Sequence, residues 1–151
     1  MPHAPLRAES SAVKRYCLND TLNYVLSDYA AQCREKAVPF QPVIELTEPV
    51  PDEILFSSIV ANALDNALNA QAGLVPEKRL IRMTLKNHNG KTLLSVKNTY
   101  HTRPVFQDGV PLSFQKDHGY GTRSIQYAVE KMGGNCQFVL ENEWFVVRIV
   151  I

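Results

Sequence analysis

Residues 57–71 read SSIVANALDNALNAQ, and this stretch decides the fold. Phe56, Val60, Ala63, Leu64, Ala67 and Leu68 recur at helical spacing, while Asn62, Asp65, Asn66 and Asn69 fall together on the other side. At about 100° per residue, those four polar positions span an arc of roughly 100°. The period predicts a long helix over Asp52 to Ala72, ending at Gly73, with Asp52 at its N-terminus. Surface helix faces generally carry Lys, Glu, Arg or Gln, because Asn and Asp compete with the backbone for hydrogen bonds and weaken the helix. Amide side chains clustered on one helix edge therefore point to a ligand. An amide carbonyl is a neutral oxygen donor suited to a hard cation such as Mg²⁺, which keeps phosphates and waters as its other ligands.

Working outward, Ser11 to Ala37 carries Tyr16, Cys17, Leu22, Val25, Leu26, Tyr29 and Cys33 at three- and four-residue steps, which predicts a second helix stopped by Pro39. Phe40 to Leu46 reads as a strand. Beyond the central helix, Leu80–Asn87 and Lys91–Asn98 alternate as strands around Asn89-Gly90, a strong hairpin turn signal. Residues 99–118, with Pro104, Gly109 and Pro111, read as a long loop of the kind that often serves as a lid. HGYGTRSI, 118–125, then leads as a glycine turn into a short helix containing Ile125, Ala128, Val129 and Met132, terminated by Gly133-Gly134. Two strands, Asn135–Leu140 and Trp144–Ile151, close the chain. Hairpin strands with helices on one face make a two-layer α+β sandwich.

Composition narrows the function. The 151 residues are 45% apolar, with 16 basic against 15 acidic side chains, enough for one globular domain with a core. A net charge of +1 and no basic cluster larger than Lys78-Arg79 argue against a nucleic-acid or lipid partner. No apolar run approaches the ~20 residues of a membrane span. Cys17, Cys33 and Cys136 are odd in number and widely spaced, which fits reduced thiols in a cytoplasmic protein. No Cys/His zinc spacing and no nucleophile elbow is present.

In HGYGTRSI, glycines let backbone N–H groups approach a phosphate, and a helix N-terminus adds donors and partial positive charge. Thr122 and Ser124 contribute hydroxyls and Arg123 a fixed charge. The stretch lacks the G-K-[ST] of a P-loop and the third glycine of a dinucleotide fingerprint.

Taken together, SSIVANALDNALNAQ resembles the N-box of the GHKL ATPase superfamily, and HGYGTRSI resembles its G2 box. The form HGxG-x-x-SI is similar to sensor histidine kinases of the peptide-pheromone-sensing type. The resemblance runs from about Asn19 to the C-terminus. It implies a Bergerat-type two-layer α/β sandwich, with a mixed, mostly antiparallel sheet and about three helices on one face. It divides the chain into a flexible lead-in over 1–10 and an ATP-binding catalytic domain over 11–151, with a lid at about 99–118. It implies ATP and Mg²⁺ as cofactors, with Asn66 coordinating the metal. The implied ATP-binding set is Asn62, Asn66, Asn69, Asn98, His118, Gly119, Tyr120, Gly121, Thr122, Arg123 and Ser124.

Where hydrolysing relatives carry a Glu that activates water, this chain has Asn62, and an amide cannot act as a base. That favours phosphoryl transfer to a protein side chain, which needs mainly positioning and charge stabilisation. The G1 box D-x-G-x-G is absent. Asn98 stands at the matching strand end and can accept a hydrogen bond through its amide oxygen, while Asp108-Gly109 is a rival position in the loop. In G2, Thr122 and Arg123 replace more usual residues.

The expected activity is transfer of the ATP γ-phosphate to a His on a separate dimerisation domain, for two-component signalling. None of His3, His88, His101 and His118 sits on a dimerising helix, so the chain reads as a cytoplasmic piece of a longer, membrane-bound sensor. The expected partners are that sensor's dimerisation and phosphoacceptor helices and, indirectly, a response regulator, with no nucleic acid and no membrane contact by the domain itself. The alternatives are a degenerate GHKL-fold binding module without catalysis and a stand-alone anti-sigma-factor serine kinase.

Overall fold

A computed structural model describes residues 15–112 and 119–151. The elements run α1 (Asp20–Glu35), β1 (Phe40–Glu45), α2 (Glu53–Ala70), a 3₁₀ turn (Pro76–Lys78), β2 (Ile81–His88), β3 (Lys91–Asn98), β4 (Val105–Gln107), β5 (Val110–Leu112), α3 (Gly119–Lys131), β6 (Asn135–Glu141) and β7 (Trp144–Val150). Five strands form one sheet in the order β1-β2-β3-β7-β6. The β1–β2 pair is parallel and the other pairs are antiparallel.

Strand alternation sends one face of this sheet toward the helices. The register aligns its residues in cross-strand rows. One row is Pro42, Met83, Val96, Val147 and Phe138; a second is Ile44, Leu85, Leu94, Ile149 and Cys136. Met83, Leu85, Leu94, Val96, Val147 and Ile149 are buried, whereas Arg82, Lys86 and Arg148 on the opposite face are exposed. The helices therefore cover one face, as the α+β sandwich reading expects. Helix α2 packs between α1 and α3. Phe56, Ile59, Val60, Ala63, Leu64 and Ala67 of α2 are almost completely buried, and α1 contributes Leu22, Leu26 and Cys33 to the same core. Burying a side chain of Leu or Phe size contributes about 1.5–3 kcal/mol, so this interior holds the layers together.

The ends of the elements follow local chemistry. Asp52 caps α2, its carboxylate accepting from the Leu55 N–H at 3.4 Å. Asn89 and Gly90 both have positive φ, the geometry of a two-residue hairpin turn. After α3, the Gly134 N–H returns to the Val129 carbonyl at 2.9 Å, closing the helix as the Gly133-Gly134 pair predicts. A Cβ on Gly134 would lie 2.5 Å from the Val150 carbonyl oxygen, so only glycine fits.

Three segments differ from the sequence reading. Helix α1 begins at Asp20 rather than near Ser11; residues 11–14 lie outside the described residues, as does the lead-in over 1–10. The Asn23 side chain accepts the N–H groups of Tyr16 and Cys17, holding the chain in a bend ahead of the helix. The loop over 99–118 contains a β-hairpin, β4–β5, whose Asp108-Gly109 turn has two positive φ angles. The turn chemistry was in the sequence, but three-residue strands are too short to show alternation. Finally, Gly119 onward already belongs to α3, so the glycine stretch is the helix's first turn rather than a turn preceding it.

Candidate functional site

A cavity of about 800 Å³ opens where the C-terminal half of α2, the end of β3 and the β4–β5 hairpin meet. Asn66 and Asn69 reach it from α2, and Asn98 from the last position of β3. Leu68, Tyr100, Pro111, Leu112 and Phe145 supply apolar wall. The hairpin is fixed in place by Phe106, whose ring lies 6.2 Å from that of Phe145 on β7. Lys36, Arg79 and Arg103 also line the cavity, and among the described residues no lining side chain is acidic. Among the described residues, an anion entering it therefore meets cations and no carboxylate.

The amides of α2 carry no structural duty that the structure records. Asn66 is half-buried and Asn69 exposed, and neither side chain has a hydrogen-bond partner among the described residues. Their oxygens are open for a ligand, which meets the donor requirement of a hard cation or a phosphate-bound metal. Asn62, one turn earlier, is half-buried and does not line the cavity. Asp65, the fourth residue of the polar ridge, turns toward α1. Burial pushes the Tyr29 hydroxyl up to about 12, and the nearby Asp65 carboxylate, to which it is hydrogen bonded, adds to the rise.

Asn98 is 1% exposed and sits in a row otherwise made of Phe40, Ile81, Phe145 and Leu140. Its Nδ2 donates to the Thr99 carbonyl at 2.8 Å. Asp108, the rival position, is exposed at the hairpin tip and does not line the cavity.

The G2 residues are placed differently. His118 lies outside the described residues, and for Gly119 and Tyr120 the backbone alone is described, as the first residues of α3. Gly121 is half-buried, with no atom within 4 Å of an added Cβ. Thr122 is buried, and its hydroxyl donates to the Pro111 carbonyl at 3.4 Å, tying α3 to β5. Arg123 and Ser124 are exposed. None of residues 121–124 lines the cavity.

Several lining residues had not been singled out from the sequence, Lys36, Arg103 and Gln71 among them. Gln71 is 3% exposed, its Oε1 accepts from the Leu80 N–H at 3.0 Å, and its Nε2 donates to the Thr99 carbonyl at 2.8 Å. The available clue was its position: it extends the apolar line Val60, Leu64, Ala67, where an amide is out of place.

The profile of the GHKL domain family matches residues 53–151. The chain belongs to this family. No curated protein matches the sequence. Among solved structures, the catalytic domain of histidine kinase ThkA superposes with a TM-score of 0.67 at 17% identity, over 89% of this chain and 91% of that one. The mycobacterial sensor histidine kinase MprB gives 0.64 at 17% identity, over 87% and 91%. The histidine kinase domain of the blue-light activated kinase from Erythrobacter litoralis gives 0.61 at 14% identity, over 95% and 66%. These likenesses establish the fold that the sequence motifs implied.

Proposed function

We propose that this chain is the ATP-binding catalytic domain of a sensor histidine kinase, which transfers the γ-phosphate of ATP to a His on a separate dimerisation domain. The observation that carries the reading is the convergence of Asn66, Asn69 and Asn98 on one cavity that, among the described residues, is lined by Lys36, Arg79 and Arg103 and by no acid. Asn98, set among apolar residues, faces the base; Asn66 and Asn69, with open amide oxygens, face the polyphosphate. Asn66 would hold Mg²⁺, which supplies neutralisation of the phosphate charge when bound. Lys36, Arg79 and Arg103 offer further positive charge to the phosphates.

Asn62 lacks a basic oxygen, so water activation at that position is disfavoured and transfer to an incoming imidazole is favoured. The β4–β5 hairpin acts as the lid. The first turn of α3, with Gly119, Tyr120, Gly121, Thr122, Arg123 and Ser124, forms the phosphate end, together with His118, which precedes it in the sequence and lies outside the described residues. The dimerisation and phosphoacceptor helices belong to the parent sensor, a response regulator takes the phosphate onward, and the domain works in the cytoplasm. Among the described residues, no helix is long and apolar enough to cross a membrane.

Calorimetric titration of ATP with and without Mg²⁺ tests the assignment. The wild-type chain is expected to bind more tightly with the metal, and Asn66→Ala is expected to lose that metal dependence. Binding indifferent to both metal and substitution would refute the role of Asn66. Absence of ATP binding at millimolar concentration would leave a GHKL fold serving as a binding module.

A further inference from the structure

We infer that the open edge of β6 is a self-pairing surface, on which a second copy of this chain docks antiparallel about Phe138 and carries the sheet across both molecules. No residue of β6 lines the cavity, so this surface stands apart from the nucleotide site.

The order β1-β2-β3-β7-β6 leaves two edges, and they are built differently. At the first, the Ile81 N–H donates to the Pro39 carbonyl at 3.0 Å, so the odd-numbered residues of β1 turn their backbone groups toward β2. Phe40, Pro42 and Ile44 hold the open side, and the middle one has no N–H to offer. A proline in that place is a usual protection of a sheet edge. At the second edge, the ladder direction follows from β7. Thr92 and Ile151 exchange both backbone bonds, at 2.7 and 2.9 Å, so odd-numbered residues of β7 face β3 and even-numbered ones face β6. Trp144, Val146, Arg148 and Val150 therefore bond Glu141, Val139, Gln137 and Asn135. The N–H and C=O groups of Cys136, Phe138 and Leu140 point off the edge, without a backbone partner among the described residues. The strand, NCQFVLE, has neither proline nor lysine to block pairing.

That strand is complementary to itself. With Phe138 set opposite the partner's Phe138, Cys136 meets the partner's Leu140 on the helix-covered face. Cys136 and Leu140 are only half-buried in the single chain, so pairing covers apolar surface left open. On the other face, Gln137 meets the partner's Val139 and Asn135 meets the partner's Glu141, so no like charges stand opposed. Cys136, Phe138 and Leu140 fall at the hydrogen-bonded positions, where each open N–H finds a carbonyl. A shifted register leaves open groups unpaired at one end. The contact is isologous and closes at two chains, which limits it to a dimer.

Sedimentation equilibrium on the full chain, from micromolar to millimolar concentration, tests the pairing. The wild type is expected in a reversible monomer–dimer equilibrium. Cys136→Pro removes an open donor and no β6–β7 bond, and should raise the dissociation constant at least several-fold, with circular dichroism checking the fold. The register has its own test. Gln137→Cys combined with Val139→Cys puts thiols on opposed, non-hydrogen-bonded positions, where Cα atoms lie about 4.5 Å apart and a disulfide fits. Mild oxidation should give a covalent dimer, and peptide mapping should join position 137 of one chain to position 139 of the other. Gln41→Cys combined with Val43→Cys, on the β1 edge, should stay monomeric under the same oxidation. A wild type that remains monomeric throughout would overturn the proposal. So would an unchanged dimer in a folded Cys136→Pro, or a failure of the β6 pair to cross-link, or equal cross-linking at β1. If Cys136→Pro does not fold, the cross-link decides.

Discussion

Asparagines do opposite work at the two ends of the helical layer. At the start of α1, the Asn19 Oδ1 accepts from the Val50 N–H at 3.0 Å, and Asn23 accepts from Tyr16 and Cys17. Both are buried, and both replace backbone partners that the chain lacks there. Along α2, Asn66 and Asn69 bond to nothing among the described residues and stand at a cavity. The residue type is the same, so composition cannot separate a folding amide from a ligand-binding one. What separates them is whether an unpaired backbone group lies within reach.

The sharpest way to break this contrast is Asn19→Ala. It leaves the buried Val50 N–H without an acceptor, which costs about 1–3 kcal/mol. Urea unfolding should show that loss while ATP affinity, measured on the folded chain, stays as it was. A drop in affinity without a drop in stability would put Asn19 on the wrong side of the comparison.

Asn69→Ala should behave in reverse. Alanine suits a helix interior better by a few tenths of a kcal/mol, so stability should hold or rise slightly. Affinity for Mg-ATP should fall several-fold. Should thermal denaturation instead show a marked loss of stability, Asn69 would be structural after all.

The smallest effect concerns the thiols, whose placement is purely structural. Burial pushes Cys33 up to about 11 and Cys136 up to about 12, from an ordinary value of 9.0, and raises Cys17 as well. The unfolded chain therefore releases these protons at lower pH than the folded one. Their contribution to stability is full below about pH 9 and fades as pH climbs through the folded values. Melting midpoints should decline from pH 9 to 11, with a shallower decline in Cys33→Ala. An identical slope in that variant would show that Cys33 is not the titrating group.

Long, strongly periodic elements were legible from the residues alone. The α2 stripe, the Asn89-Gly90 turn and the Gly133-Gly134 stop each encode their geometry locally, and each is found where the pattern puts it. The β4–β5 hairpin was hidden because its pairing is held by Phe106 against Phe145, a contact between residues far apart in the chain. Asn66 and Asn69 were readable as candidates because amides there defy helix propensity, while Asn98 was readable only through the resemblance, as the residue at the strand end where the family's G1 box should follow. Gln71 escaped notice because its importance lies in two backbone groups, at Leu80 and Thr99, that only the folded sheet brings to it.

The interior position of β7 in the sheet has a consequence for assembly. It lies between β3 and β6, yet it is the last strand in sequence. A chain emerging from the ribosome can pair β1, β2 and β3 early, but the second edge of β3 stays open until residues 144–150 arrive. Phe145, which walls the cavity opposite Asn98, comes with them. Nascent chains halted before that point would expose an unprotected edge and lack a finished pocket, so binding competence and protection from aggregation are acquired in the same late step.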